Sequence, residues 1–147
     1  MRSYRCVMTA VIVIVALLVV ATALGLVWKW SQGRVRRTDG STLIRAADLP
    51  SGTRLARGAT LVQFSTEVCA PCVPTRAILG QLASEHAGVT HVDLDITHRP
   101  DLASRFNILQ TPTTLIVDRK GVVRARIGGA PRRDSLSTEL TRILEAA

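Results

Sequence analysis

From Val7 to Trp28 the sequence VMTAVIVIVALLVVATALGLVW runs 22 residues without a charge. As an α-helix it would be roughly 33 Å long, enough to cross the hydrocarbon core of a bilayer. The β-branched cluster Val11 to Val15 would suit a buried strand, but strands rarely exceed ten residues, so length decides for a membrane span. Trp28 and Trp30 fall at its end, where amphipathic rings favour the headgroup layer, and Lys29 can snorkel beside them. The pattern predicts an N-terminal tail and anchor over residues 1–30. Residues 31–42 (SQGRVRRTDGST) are polar and contain Gly, so they read as a tether.

From 43 to 147 the pattern alternates strand and helix, predicting one α/β domain. Residues 59–66 (ATLVQFST) form an apolar run that stops at a turn, as a central strand does. Residues 70–86 place Ile78, Leu79, Leu82 and Ala83 on one face of a helix. Residues 89–95 read as a strand on which His91 interrupts the apolar positions, and 101–106 as a short helix behind Pro100. Residues 113–117 and 122–127 flank Asp118-Arg119-Lys120-Gly121, a hairpin turn with Gly where a positive φ is wanted. Pro131 then opens a helix carrying Leu136, Leu140, Ile143 and Leu144. The predicted order is βαβα followed by ββα.

Composition sharpens this in three ways. With 147 residues, 47% of them hydrophobic, the chain has room for one domain of about 100 residues beside the apolar segment. The net charge of +8 suggests a nucleic-acid binder until its distribution is seen. Arg2, Arg5, Lys29, Arg34, Arg36 and Arg37 all flank the apolar run, and residues 38–147 carry 13 positive against 11 negative side chains. That surface lacks the basic stripe with interleaved aromatics that tracks phosphates, so no nucleic-acid partner is expected. Three cysteines are too few for a disulfide framework. Cys6 has no apolar segment before it, which excludes a lipid-acceptor role and leaves an unpaired residue at the membrane edge.

The anchor admits two readings. Ala21-Thr22-Ala23 resembles a signal-peptide cleavage site, but the apolar run continues through Trp28, so an uncleaved single-pass anchor is adopted. Two basic residues precede the span and four come after it, which by the positive-inside count keeps the domain in the cytoplasm. A short N-terminus ahead of a signal-like run instead exports the chain beyond the span. The expectation is an extracytoplasmic domain, with a cytoplasmic-facing one as the alternative.

The chemistry lies where the central strand meets its helix, at Phe64-Ser65-Thr66-Glu67-Val68-Cys69-Ala70-Pro71-Cys72. Two cysteines three apart on a first helical turn share one face, within reach of a disulfide. At a helix N-terminus the free N–H groups and the positive dipole end favour the thiolate of Cys69. A lowered thiol pKa suits a nucleophile in disulfide exchange, and Cys72, one turn on, can resolve the mixed disulfide.

With these residues the chain resembles the thioredoxin superfamily over roughly 55–147: a strand, Cys69-Ala70-Pro71-Cys72, a helix, then Thr111-Pro112-Thr113, a hairpin and Gly128. The resemblance implies a thioredoxin fold, a central mixed sheet flanked by helices, and thiol-disulfide oxidoreductase activity on protein thiols and disulfides. It needs no cofactor beyond the redox-active Cys69–Cys72 disulfide. It further implies a cis Pro112 packed against that disulfide, a Thr111 backbone that hydrogen-bonds substrate, and Gly128 in the substrate groove. With the span in front, the whole looks like a membrane-anchored thioredoxin of the sort found in high-GC bacteria, with an unidentified electron donor or acceptor that could be a membrane redox protein. Five positions depart from the family. The buried Asp is Gln63, the two Trp positions are Ser65 and Val68, the paired Lys corresponds to His91, and Pro74 comes earlier than the helix-kinking proline. These departures favour a specialised extracytoplasmic relative.

Other readings of the same residues are weaker. A zinc site would draw on His86, His91 and His98, none in a paired ligand spacing with the cysteines. Thr66-x-x-Cys69 resembles part of a peroxiredoxin motif, whose proline is Val62 here. His91 fits either a satisfied structural histidine or a proton shuttle for Cys72, and Glu67 a solvated turn residue beside Cys69. A non-catalytic binding module using the groove around Pro112 is the alternative function.

Overall fold

The computed structural model describes residues 2–146 and their side chains from Val7 onward, so the Cys6 side chain lies outside the described residues. The chain divides into two units, Met1–Ser31 and Gln32–Ala147. The first is the helix α1 (Arg2–Ser31), in which the segment Val7–Ser31 contains an 18-residue stretch of mean hydropathy 3.1, with none of that stretch buried against protein. By length and composition that segment can span a membrane.

The second unit is built on one mixed sheet, with strands β1 (Val35–Arg37), β2 (Ala59–Ser65), β3 (Val89–Asp95), β4 (Thr113–Asp118) and β5 (Val123–Gly128) in the order β1-β5-β4-β2-β3. Only β2 and β3 run parallel, joined through α2 (Cys72–Glu85), while α3 (Pro100–Arg105) leads from β3 to β4 and α4 (Arg133–Glu145) closes the fold. The predicted mixed sheet flanked by helices is therefore present. Alternate residues of the central strands feed two cores. Leu61, Ile116, Ala125 and Ile127 meet Leu79 and Leu82 of α2 and Leu136, Leu140 and Ile143 of α4 on one face. Val62, Phe64, Leu115 and Val117 meet Leu102 and Phe106 on the other. Every residue of β2 and β4 is buried, as strands covered on both faces require.

The structure departs from the sequence pattern at three places. The stretch 31–42, expected as a tether, supplies the edge strand β1, paired antiparallel to β5 with Val35 opposite Ile127. Three residues are too few to show a period of two, and what holds them is tertiary. The Gly33 N–H donates to the Gly128 carbonyl at 2.8 Å, and Arg37 Nε donates to both Glu139 oxygens at 3.2 and 3.3 Å. Helix α2 begins at Cys72 rather than at residue 70, with Pro71 as its N-cap. Helix α4 begins at Arg133, two residues after Pro131. Pro74 falls at the third helical position, where its missing N–H would have had no intrahelical partner.

Candidate functional site

The site assembles at the ends of β2 and β4. Leaving β2, residues 66–71 form the turn into α2, closed by the Cys72 N–H donating to the Cys69 carbonyl at 3.1 Å. The Pro71 carbonyl accepts from both the N–H (3.3 Å) and the hydroxyl (2.8 Å) of Thr75. Cys69 and Cys72 are disulfide-bonded with Cα atoms 5.3 Å apart. Cys72 is the first helical residue and 2% exposed, whereas Cys69 is half-buried in the turn before it. Cys69 is thus not on the helical turn itself, yet its sulfur is joined to the residue that begins the helix. It stays at the positive end of the dipole, where a thiolate is favoured.

Beneath the disulfide lies a short polar chain. The fully buried Gln63 donates from Nε2 to the Cys72 carbonyl at 3.1 Å, and its Oε1 lies 3.2 Å from Nε2 of His91. Because an amide oxygen only accepts, His91 Nε2 carries the proton of this bond. Burial pushes the pKa of His91 down, and Arg76 adds to that fall while Asp93 opposes it. Asp93 itself accepts from the Ser65 hydroxyl at 2.6 Å and from Arg76 Nε at 2.6 Å. Gln63, Ser65, His91 and Asp93 form a polar patch between two strands and Arg76 of α2.

The second half of the site is residues 109–113. The Thr111–Pro112 peptide is cis, Pro112 is buried, and Thr111 Oγ1 lies 3.2 Å from Thr66 Oγ1, joining this loop to the cysteine turn. The Gly129 N–H donates to the Pro112 carbonyl at 2.8 Å, and Thr113 pairs with Gly128 across β4 and β5. A Cβ at Gly128 would stand 2.6 Å from Nε2 of Gln110, so the Gln110 side chain occupies the space that glycine leaves. The Glu67 N–H donates to Thr97 Oγ1 at 2.9 Å, which ties the cysteine turn to the loop after β3. Val68 (96%) and Val73 (65%), each adjacent in sequence to a cysteine, and Leu109 (86%), in the loop before Thr111, are exposed apolar side chains.

The sequence-predicted residues Cys69, Cys72, Thr111, Pro112 and Gly128 all fall at this end of the sheet. Sequence reasoning missed Gln110, Thr97, Leu109 and the hydroxyl pairing of Thr66 with Thr111. A polar or apolar residue in a loop carries no periodic signal, and the adjacency of Gln110 to Thr111 was the one cue available. His98 Nε2 lies 3.9 Å from Glu67, both exposed. Among the described residues no group of three or more His, Cys, Asp or Glu side chains is placed to hold a metal ion.

Comparison with known proteins gives the same outline. The family described as Thioredoxin matches residues 52–142. The chain is similar to Thioredoxin C-2 of Corynebacterium nephridii, at 38% identity over 73 residues, 49% of this chain and 68% of that protein. It is also similar to the thioredoxin of Staphylococcus aureus, at 25% identity over 103 residues, 69% of this chain and 98% of that one. Among solved structures it resembles chloroplastic thioredoxin z with a TM-score of 0.54 and 27% identity, covering 62% of this chain and 81% of that one.

Proposed function

The chain belongs to the thioredoxin family and is a thiol-disulfide oxidoreductase, and from that premise we propose that it works as a membrane-tethered exchanger of protein disulfides, with its redox domain on the extracytoplasmic side. Cys69 is the nucleophile, since it is the accessible member of the pair and sits at the helix N-terminus. Its thiolate attacks a substrate disulfide, forming a mixed disulfide and releasing one substrate thiolate. Cys72 then loses its proton and attacks Cys69 Sγ, restoring the Cys69–Cys72 bond as the second substrate thiolate leaves. Run backwards, the same steps oxidise a substrate dithiol. The backbone at Thr111, the ring of Pro112 and Gly128, beside the Gln110 side chain, form the groove that holds the substrate chain. The exposed Val68, Val73 and Leu109 give that chain an apolar rim.

The observation that carries this reading is the asymmetry of the pair: one sulfur-bearing residue is accessible, and the other is sealed at the start of a helix beside a cis-proline loop. On direction, the uncharged Gln63 beneath Cys72 imposes no negative charge on the thiolate. This favours the reduced form and a less reducing potential. Its electron donor or acceptor is a dithiol or disulfide protein, of which a membrane-embedded one suits the anchor.

The test uses the full chain in detergent. Cys69→Ser should abolish disulfide exchange, and Cys72→Ser should accumulate mixed disulfides with protein substrates. Retained activity in Cys69→Ser together with no trapping by Cys72→Ser would reverse or remove these roles.

A further inference from the structure

We propose that Thr114 is the hydrogen-bonding partner of the Cys72 sulfur in the reduced protein, and that it thereby biases the cysteine pair toward the dithiol. The proposal rests on Cys69–Cys72 being the redox couple. Thr114 is fully buried, and its Oγ1 is the side-chain polar atom found buried without a hydrogen-bond partner among the described residues. The other buried threonines differ: Thr113 donates to the Gln110 carbonyl at 2.7 Å, Thr75 donates to the Pro71 carbonyl, and Thr60 Oγ1 accepts the Ala56 N–H at 2.9 Å.

Its position is fixed by register. Along β4, Leu115 and Val117 belong to the core on the α3 side, whereas Ile116 belongs to the core covered by α2 and α4. Thr114 alternates with Leu115 and so shares the face of Ile116. In the same register it stands directly opposite Gln63. The Gln63 side chain is already engaged, donating to the Cys72 carbonyl and accepting from His91. A hydroxyl with nothing to bond therefore lies on the sheet face that α2 and α4 cover, directly across from Gln63, the residue that bonds the Cys72 carbonyl.

An unpaired buried hydroxyl costs stability, and its presence in a native core calls for a reason. In the oxidised protein both sulfurs are bonded to each other, and such a sulfur is a weak acceptor. A dithiol reductant breaks that bond. Its two sulfurs join in a new disulfide, its two electrons pass to Cys69 and Cys72, and the Cys72 sulfur ends as a thiol or, on the way to resolution, a thiolate. In either state it can pair with the Thr114 hydroxyl, donating as a thiol or accepting as a thiolate. The penalty on Thr114 is thus confined to the oxidised form. Its removal on reduction raises the potential, in the same direction as the uncharged Gln63.

The experiment compares the full chain in detergent with Thr114→Val, which keeps the shape and removes the hydroxyl, and Thr114→Ser, which keeps the hydroxyl. Equilibration against thiol-disulfide buffers should shift the Thr114→Val couple about tenfold toward the disulfide, a potential about 30 mV more negative, with Thr114→Ser close to the parent. In thermal unfolding, Thr114→Val should stabilise the oxidised form and destabilise the reduced one. Equal changes in both forms with an unmoved potential would show a purely structural hydroxyl and overturn the proposal. A potential that moves as expected in a chain that exchanges no protein disulfides would uphold Thr114 and overturn the proposed oxidoreductase function instead.

Discussion

Gln63 Nε2 donates to the Cys72 carbonyl at 3.1 Å from a fully buried position, so residue 63 reports directly on the cysteine pair. An acid there would place negative charge beneath the sulfurs. Gln63→Asp should raise the apparent pKa of Cys69, because a nearby carboxylate disfavours a second anion, and should make the potential more negative. His91, 3.2 Å away on the other side of the amide, would partly neutralise the new carboxylate. The effect should therefore be larger in Gln63→Asp combined with His91→Gln. Thiolate absorbance against pH on the reduced chain measures both, and an unmoved Cys69 titration in the double variant would show that residue 63 does not act on the sulfurs.

His91 gives a second, pH-linked expectation. Its pKa is lowered in the folded protein, chiefly by burial, so between the folded value and the unfolded value near 6.5 the unfolded chain binds more protons. The stabilising contribution is complete above the unfolded pKa and is lost as pH falls through the folded one. Thermal stability of the parent should decline as pH is lowered from about 7 to about 5. His91→Gln, which cannot titrate, should flatten that part of the profile; an identical decline in the variant would assign the effect to other groups.

What the sequence revealed and what it hid divide along the range of the interactions. The cysteine turn, β2, β3 and the hairpin at Gly121 were legible because each rests on local signals: alternation, an apolar run ending at a turn, and a glycine at φ +84°. The edge strand β1 was not. Val35, Arg36 and Arg37 look like a charged linker, and what makes them a strand is distant in sequence: Glu139 on α4 and the open edge of β5. The polar chain from Cys72 through Gln63 to His91 was only half legible, since the motif marked residue 63 but nothing local tells a buried glutamine which groups its amide will meet. The orphaned hydroxyl of Thr114 was invisible, because a Thr in a β-branched strand is ordinary until its partners are counted.

The proposed membrane orientation sets the apolar run over 7–28 against the four basic residues just beyond it. Fusing a reporter that is active only outside the cytoplasmic membrane to the C-terminus should give activity with a stably expressed fusion. An inactive fusion of equal abundance would return the decision to Lys29, Arg34, Arg36 and Arg37, whose positive charge would then hold the domain inside.

The last expectation concerns the groove. Gly128 keeps an ordinary backbone φ, so its glycine is required by space rather than by conformation, and the space is taken by the end of the Gln110 side chain 2.6 Å from where a Cβ would stand. Gln110 is exposed and its amide can swing aside, so Gly128→Ala should cost little stability, on the order of 0.5 kcal/mol, as a surface change does. The displaced amide and the added methyl would instead narrow the proposed substrate path beside Pro112. KM for a protein disulfide should rise about fivefold, the loss of one hydrogen bond, while turnover of a small aromatic disulfide that never enters the groove stays unchanged. Equal losses on both substrates would mean that the methyl disturbs the cysteine pair itself, and unchanged kinetics on both would place the substrate path away from Gly128.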